Sequence, residues 1–469
     1  MREALEIAVG GVLAGSVFAL VAVGFTLVYS VMGVPNLAQG AFVVLGALGM
    51  YSLETRFHWP LLAATLGSAA IAALVGGAME RLVIRPAQYR LPLSGMLILM
   101  VGVLTLFEGA SLVIWGSQPY SIPTFSGERP VAVAGVRLPT QGLWIIGVTA
   151  AIVVLLWGIL TRTVFGKALR ACAENPMAAS LMGVRVSRMT LFSFAVGAAI
   201  GAIGGEVLGP ITSIEFDTGR FFTNSGFIAF ALGGMGSFFG AIVGGLGLGL
   251  VQQLTAGYIS SLFSNSLTLV LLLAVLIWRP GGILGGSGAR REDVREFLVH
   301  RALPPSRLKG RTAWALAIVG AVTVGVLPLF LGGTGLVGSL VITGILFIAV
   351  GGYTAAILAT RSGLAPLTAT GAGIGLSLAV ALVLSLVTAR LRGLYLALAT
   401  LAFGLLVDSV AVGLTDVTGG PSGLVAIPSF SLGGYTFASP ISTYYLVWGI
   451  AGALVILLAN LTRSGYGRA

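Results

Sequence analysis

The chain has 469 residues, of which 57% are hydrophobic and only 9% charged, with a mean hydropathy of +1.02; soluble domains carry about 25% charged residues, so a soluble globule is excluded. The net charge of +11 does not form a nucleic-acid-binding stripe: fifteen of the 26 Lys and Arg residues fall in three segments between apolar stretches, 81–90, 162–188 and 290–311, as the positive-inside rule expects of cytoplasmic loops. Cys172 is the single cysteine, and His58 and His300 are the two histidines, too few and too isolated for a disulfide framework or a metal site.

In chain order, the first apolar stretch, residues 5–29, is too long and continuous for a signal-peptide core and is followed at once by another span, so it reads as a retained helix. Pro35 then interrupts the pattern, and Asn36, Gln39 and Gly40 open the second span. The two amides either line a route through the membrane or bond backbone groups freed at the proline. Apolar stretches at 61–80, 96–115 and 143–161 follow. Glu108 lies inside one of these, and Glu206 and Asp408 lie inside later ones. An acid within a span is costly and a functional candidate by default, against the plainer reading of snorkelling or bonding to a neighbouring helix.

Segment 161–188 is a cytoplasmic loop with a helix of its own. Asn175 supplies an N-cap acceptor and Pro176 fits the first helical position, predicting a short helix through Met182. Ala178, Ala179 and Gly183 leave little side-chain bulk and permit close approach by another surface. The competing reading is an interfacial helix lying on the headgroups.

Arg188 and Arg290 are both expected inside, yet three apolar blocks separate them, 189–208, 226–252 and 267–277. An odd number cannot return the chain to the same side. The middle block is over-long and broken by Gly233, Gly234, Gly236, Gly240, Gly244 and Gly245, so it is predicted to split into a half-helix plus a span. Irregular backbone there lies near a path, or else the glycines serve tight helix packing.

The polar stretch 286–311 divides a first module, 1–285, from a second, 312–469. The expected fold is all-α: a polytopic helical bundle with about eight spans in the first module and about five in the second. Residues 160–168 (LTRTVFGKA) and 461–469 (LTRSGYGRA) repeat weakly between the modules, and paired halves are a transporter signature. No GxxxxGK[ST] phosphate loop, HExxH pair or nucleophile with a base at useful spacing is present, which predicts a non-enzyme without a cofactor, energised by a partner subunit or an ion gradient.

The run Gly166-Lys167-Ala168-Leu169-Arg170-Ala171, with Asn175-Pro176, Ala178-Ala179 and Gly183, resembles the coupling loop of the branched-chain amino acid permeases of ABC importers. Asn36-Leu37-Ala38-Gln39-Gly40, Gly233-Gly234-Met235-Gly236-Ser237 and Arg279-Pro280-Gly281-Gly282-Ile283-Leu284-Gly285 resemble the first permease subunit of the same family. Arg390-Leu391-Arg392-Gly393-Leu394-Tyr395 and Thr418-Gly419-Gly420-Pro421-Ser422-Gly423 resemble its companion subunit, which implies a fusion of the two. The resemblance implies residence in a bacterial plasma (inner) membrane, two ATP-binding subunits docking on the coupling loop, a periplasmic or extracellular substrate-binding protein, and branched-chain or other hydrophobic amino acids as cargo. The second module departs from the pattern. Ile348-Ala349-Val350 runs straight into Gly351-Gly352-Tyr353, one span short by the charge topology, and Ala469 precedes a second coupling helix. The expectation is an incomplete second module, with the first pairing with another copy or an intact companion. Urea or short amides are the alternative cargo, and an ion-coupled secondary transporter using Glu108 and Glu206 is the alternative mechanism. A structural membrane protein is a third, less economical reading, because it leaves those acids buried without use.

Overall fold

The computed structural model describes residues 2–284 except 89, 90, 92, 128–130, 134, 135, 262 and 280; residues 346–388; and residues 403–463 except 405, 408, 433 and 434. These fall into two compact units, and residues 2–284 belong to the first. The linker 286–311, Asp408 and the stretch 390–395 lie outside the described residues.

The first unit is a helical bundle. Its helices are α1 (Arg2–Met32), α2 (Gln39–Thr55), α3 (Leu61–Met79), α4 (Leu93–Trp115), α5 (Thr140–Arg162), α6 (Val164–Glu174), α7 (Pro176–Leu181), α8 (Val186–Leu208), α9 (Thr218–Gly233), α10 (Phe238–Tyr258) and α11 (Ser264–Trp278). A small hairpin, β1 (Val131–Val133) and β2 (Val136–Leu138), precedes α5. Among the described residues, six helices are long and apolar enough to cross a membrane: α1, α3, α4, α5, α8 and α10. Six of the roughly eight expected spans are thus met by length and composition, while α2, α9 and α11 are shorter helices of 17, 16 and 15 residues.

The glycine-rich middle block divides into two helices, as expected. The middle block breaks at Gly234 (φ +110°) and Gly236 (φ +85°), positions that a side chain would strain. Before the break α9 has 16 residues, about 24 Å at the α-helical rise; after it α10 returns across the membrane. Four helices, α8 to α11, then run between Arg188 and Arg279, an even number.

The core is assembled by close backbone approach. Gly11, Gly15 and Ala19 on α1 face Gly245 and Gly249 on α10, and a Cβ on either of the latter two would collide with α1 backbone. Small residues four apart allow this in a bilayer, where packing rather than the hydrophobic effect holds helices together. At the inner end α3 continues through a π-helical turn, Glu80–Ile84. The buried Glu80 carboxylate accepts from Arg85 Nε (3.1 Å) and Nη2 (3.0 Å), and Arg85 also donates to the Ser187 carbonyl at 3.1 Å.

The second unit contains α12 (Leu346–Arg361), α13 (Pro366–Thr388), the short α14 (Thr415–Thr418), a two-stranded hairpin of β3 (Ser431–Leu432) and β4 (Tyr435–Thr436), and α15 (Pro440–Arg463). The junction at Val350 and Gly351 lies within the continuous helix α12. In the Thr418–Gly423 run, Gly419, Gly420 and Gly423 all have positive φ, and the Gly420 N–H donates to Thr418 Oγ1 at 3.2 Å.

Candidate functional site

The loop after α5 is built by two caps. Thr163 Oγ1 accepts from the Gly166 N–H at 3.0 Å and starts α6. Gly166 sits where the chain reverses against the end of α5, and a Cβ would strike the backbone of Ile159 and Leu160. Asn175 Oδ1 accepts from the N–H groups of Met177 and Ala178, both at 3.0 Å, with Pro176 first in α7. Gly183, at φ +87°, ends α7: its N–H donates to the Ser180 carbonyl (3.1 Å) and the Val184 N–H to the Ala179 carbonyl (3.0 Å), the two bonds of a Schellman motif.

The orientation of α7 revises the role of its small residues. Ala179 is buried in a cluster with Val31, Leu169, Cys172 and Met189, so its smallness serves close approach to this chain and not to another surface. Burial also pushes the Cys172 thiol above its ordinary range. The face turned to the surroundings carries Met177, Leu181 and Met182, which are 74%, 81% and 85% exposed. Ala178 and Gly183 lie on this open side, as does Arg170 on α6. The large apolar residues were missed in the sequence because α7 is too short to show a periodicity.

At the Pro35 break, Asn36 and Gln39 are completely buried. Asn36 Oδ1 accepts from the Ala38 N–H (3.2 Å) and Asn36 Nδ2 donates to Gln39 Oε1 (3.4 Å). Gln39 Nε2 donates to the Gly197 carbonyl on α8 at 2.7 Å, and the Gly40 N–H donates to Thr223 Oγ1 on α9 at 3.0 Å. A Cβ on Gly40 would collide with Gly219 and Thr223. Asn36 bonds backbone just after the Pro35 break, while Gln39 and Gly40 tie the start of α2 to α8 and α9.

The break after α9 is closed from elsewhere in the chain. Gly233 packs directly on Gly240, and the Ile283 and Leu284 N–H groups donate to the carbonyls of Leu232 (2.8 Å) and Gly233 (2.9 Å). The residues after α11 thus satisfy two of the carbonyls that a helix end leaves open. Gly282, at φ +79°, rests on Gly234, where a side chain has no room. Gly236 opens the turn that leads into α10.

The two intramembrane acids have different surroundings. Glu108 on α4 is buried and pairs bidentately with Arg220 on α9, Nε to Oε1 at 3.0 Å. Glu206 on α8 is fully buried; its Oε1 contacts the Ser68 hydroxyl on α3, while Oε2 has no hydrogen-bond partner among the described residues. Sequence reasoning picked out both acids but neither partner, since Arg220 and Ser68 lie 112 and 138 residues away.

Among the described residues no group of three or more His, Cys, Asp or Glu could hold a metal. Residues 7–278 match the family model for the permease component of branched-chain amino acid transport systems. The chain is 32% identical over 292 residues to the high-affinity branched-chain amino acid transport system permease protein LivH of Escherichia coli (strain K12), covering 59% of this chain and 93% of that protein. It is 30% identical to the corresponding permease BraD of Pseudomonas aeruginosa (60% and 95% covered) and 29% identical to a probable branched-chain amino acid transport permease protein LivH of Methanocaldococcus jannaschii (59% and 91%). No solved structure gives a significant match. These relatives are transport permeases and not enzymes. With the family match covering more than half its length, this multi-pass membrane protein belongs to the permease family of branched-chain amino acid transport systems.

Proposed function

We propose that the chain imports branched-chain or other hydrophobic amino acids, driven by separate ATP-binding subunits and supplied by a substrate-binding protein outside the membrane. The observation that carries the ATPase assignment is the exposed apolar face of α7. Met177, Leu181 and Met182 point away from the bundle while Ala179 pins the helix from beneath. Large apolar residues held rigidly on a cytoplasmic loop suit a protein partner, and the two caps fix the angle at which they are offered. The cargo assignment rests on the names of the relatives, and the second module, 312–469, as a companion permease rests on the resemblance of its segments.

The test is reconstitution with candidate ATPases and a binding protein. Leu181→Glu with Met182→Glu places charge on the open face without touching the buried cluster. It is expected to abolish co-purification of the ATPase and ATP-driven leucine uptake while the protein inserts and melts as before. Undiminished uptake by this variant would remove α7 as the coupling surface. Urea uptake in place of leucine would remove the cargo assignment.

A further inference from the structure

Around the first unit the exposed residues of the spans are those expected against lipid, for example Leu62 and Leu74 on α3, Leu106 on α4 and Leu155 on α5. The open side of α9 departs from this. Asp217, the residue that precedes α9 at its N-cap, and Arg220 are exposed there, Phe221 is 40% exposed, and Asn224 is half-buried. Their spacing of three, four and seven residues places them on one helical face.

This face runs from the loop that bridges Tyr120 at Ile214 inward to membrane depth. Its neighbours Gly219 and Thr223 contact Gly40, beside Gln39, which in turn reaches Gly197 midway along α8. Charged side chains at that depth look onto a water-filled cavity or onto polar partners, because exposure to hydrocarbon is costly. Arg220 is also held in place: Glu108 grips its Nε and Nη2 from the bundle side, yet 63% of the arginine side chain remains exposed. The Asp217 carboxylate, one turn back on the same face, adds opposite charge beside it. Phe221 stands edge-on to the buried Phe18, with ring centroids 6.0 Å apart.

We propose that this face of α9 binds the zwitterionic head of an α-amino acid during passage. Arg220 takes the carboxylate through its remaining N–H groups, Asp217 takes the ammonium, and Phe221 offers apolar surface to an aliphatic side chain. The match is chemical: a guanidinium fork for a carboxylate, an anion for an ammonium, and a ring for hydrocarbon. The inference rests on the amino-acid cargo proposed above.

Two measurements test it. In vesicles, Asn224→Cys is expected to react with a charged methanethiosulfonate and to be protected by L-leucine, but not by leucinamide or 4-methylpentanoate, which each lack one charged group. The buried Cys172 makes the unsubstituted protein the unlabelled control. In the reconstituted importer, Asp217→Asn and Arg220→Lys are expected to lower leucine uptake roughly tenfold to a hundredfold, the range for a lost charge-assisted hydrogen bond. The charge swap Glu108→Arg with Arg220→Glu separates recognition from structure. It keeps an ion pair but not a cation on the open face, so uptake should stay lost while the folded protein is recovered. Restored uptake in the swap, or an Asn224→Cys that does not label, overturns the proposal. If the unsubstituted importer carries no leucine at all, the cargo assignment fails instead.

Discussion

Two exposed surfaces of the first unit invert the usual match between side chain and solvent. On α7, outside the membrane spans, the open residues are Met177, Leu181 and Met182. On α9, at membrane depth, they are Asp217 and Arg220. Apolar surface open to water, and charge within a span that lacks water or a polar partner, are both unfavourable. Each is held by packing that leaves it little choice: Ala179 fixes the roll of α7, and Glu108 with Gly219 fixes that of α9. On the functions proposed above, the first surface suits a protein partner and the second a polar environment within the span.

The largest effect on stability should come from the intramembrane ion pair, and it should be asymmetric. Arg220→Ala strands the Glu108 carboxylate, 7% exposed, without its partner, and an unpaired buried charge is strongly destabilising. Glu108→Ala leaves an arginine that already faces outward and should cost much less. Thermal unfolding of both variants in nanodiscs checks the order. Equal losses would mean that the arginine is as deeply buried in the membrane as the glutamate, and the contrast between α7 and α9 would collapse.

A smaller loss is expected at the anchor of α7. Ala179→Trp forces a large ring into the cluster of Val31, Leu169, Cys172 and Met189, and overpacking costs about 1–3 kcal/mol. Protease cleavage within 163–185 should rise, and coupling should fall as a consequence of a displaced helix. Met177→Trp, on the open face, should leave cleavage unchanged. Equal protection of the two variants would show that the inward and outward faces of α7 do not differ.

The sequence was most informative where a single residue must satisfy a local rule. Asn175 and Pro176 mark the start of α7, and the glycines at 233–236 mark the end of α9. It was least informative where two distant segments meet. Nothing near Gln39 announces the Gly197 carbonyl, and nothing near Ile283 announces the open end of α9. The smallness of Ala179 was visible, but its direction was not, because the roll of a six-residue helix is decided by what packs beneath it. Arg220 escaped notice because its sequence neighbourhood, DTGRFF, reads as a loop entering a span; only the fold brings it against Glu108.

The smallest effect is the most direct probe of how α7 is aimed. Asn175→Ala removes the acceptor for the Met177 and Ala178 N–H groups, and loss of such a cap costs about 1 kcal/mol. Asn175 is exposed, so the freed N–H groups can turn to water and the bundle is left untouched. The helix start should fray locally while Ala179 stays in its cluster. The expected outcome is faster amide hydrogen exchange confined to 175–178, an unchanged melting temperature, and leucine-driven ATP hydrolysis reduced severalfold. Asn175→Asp, which keeps an acceptor at the same place, should restore exchange and coupling together. Coupling that recovers in Asn175→Ala at high ATPase concentration would fit a helix that is merely less often in position, whereas full coupling at every concentration would show that the cap has no part in presenting Leu181 and Met182.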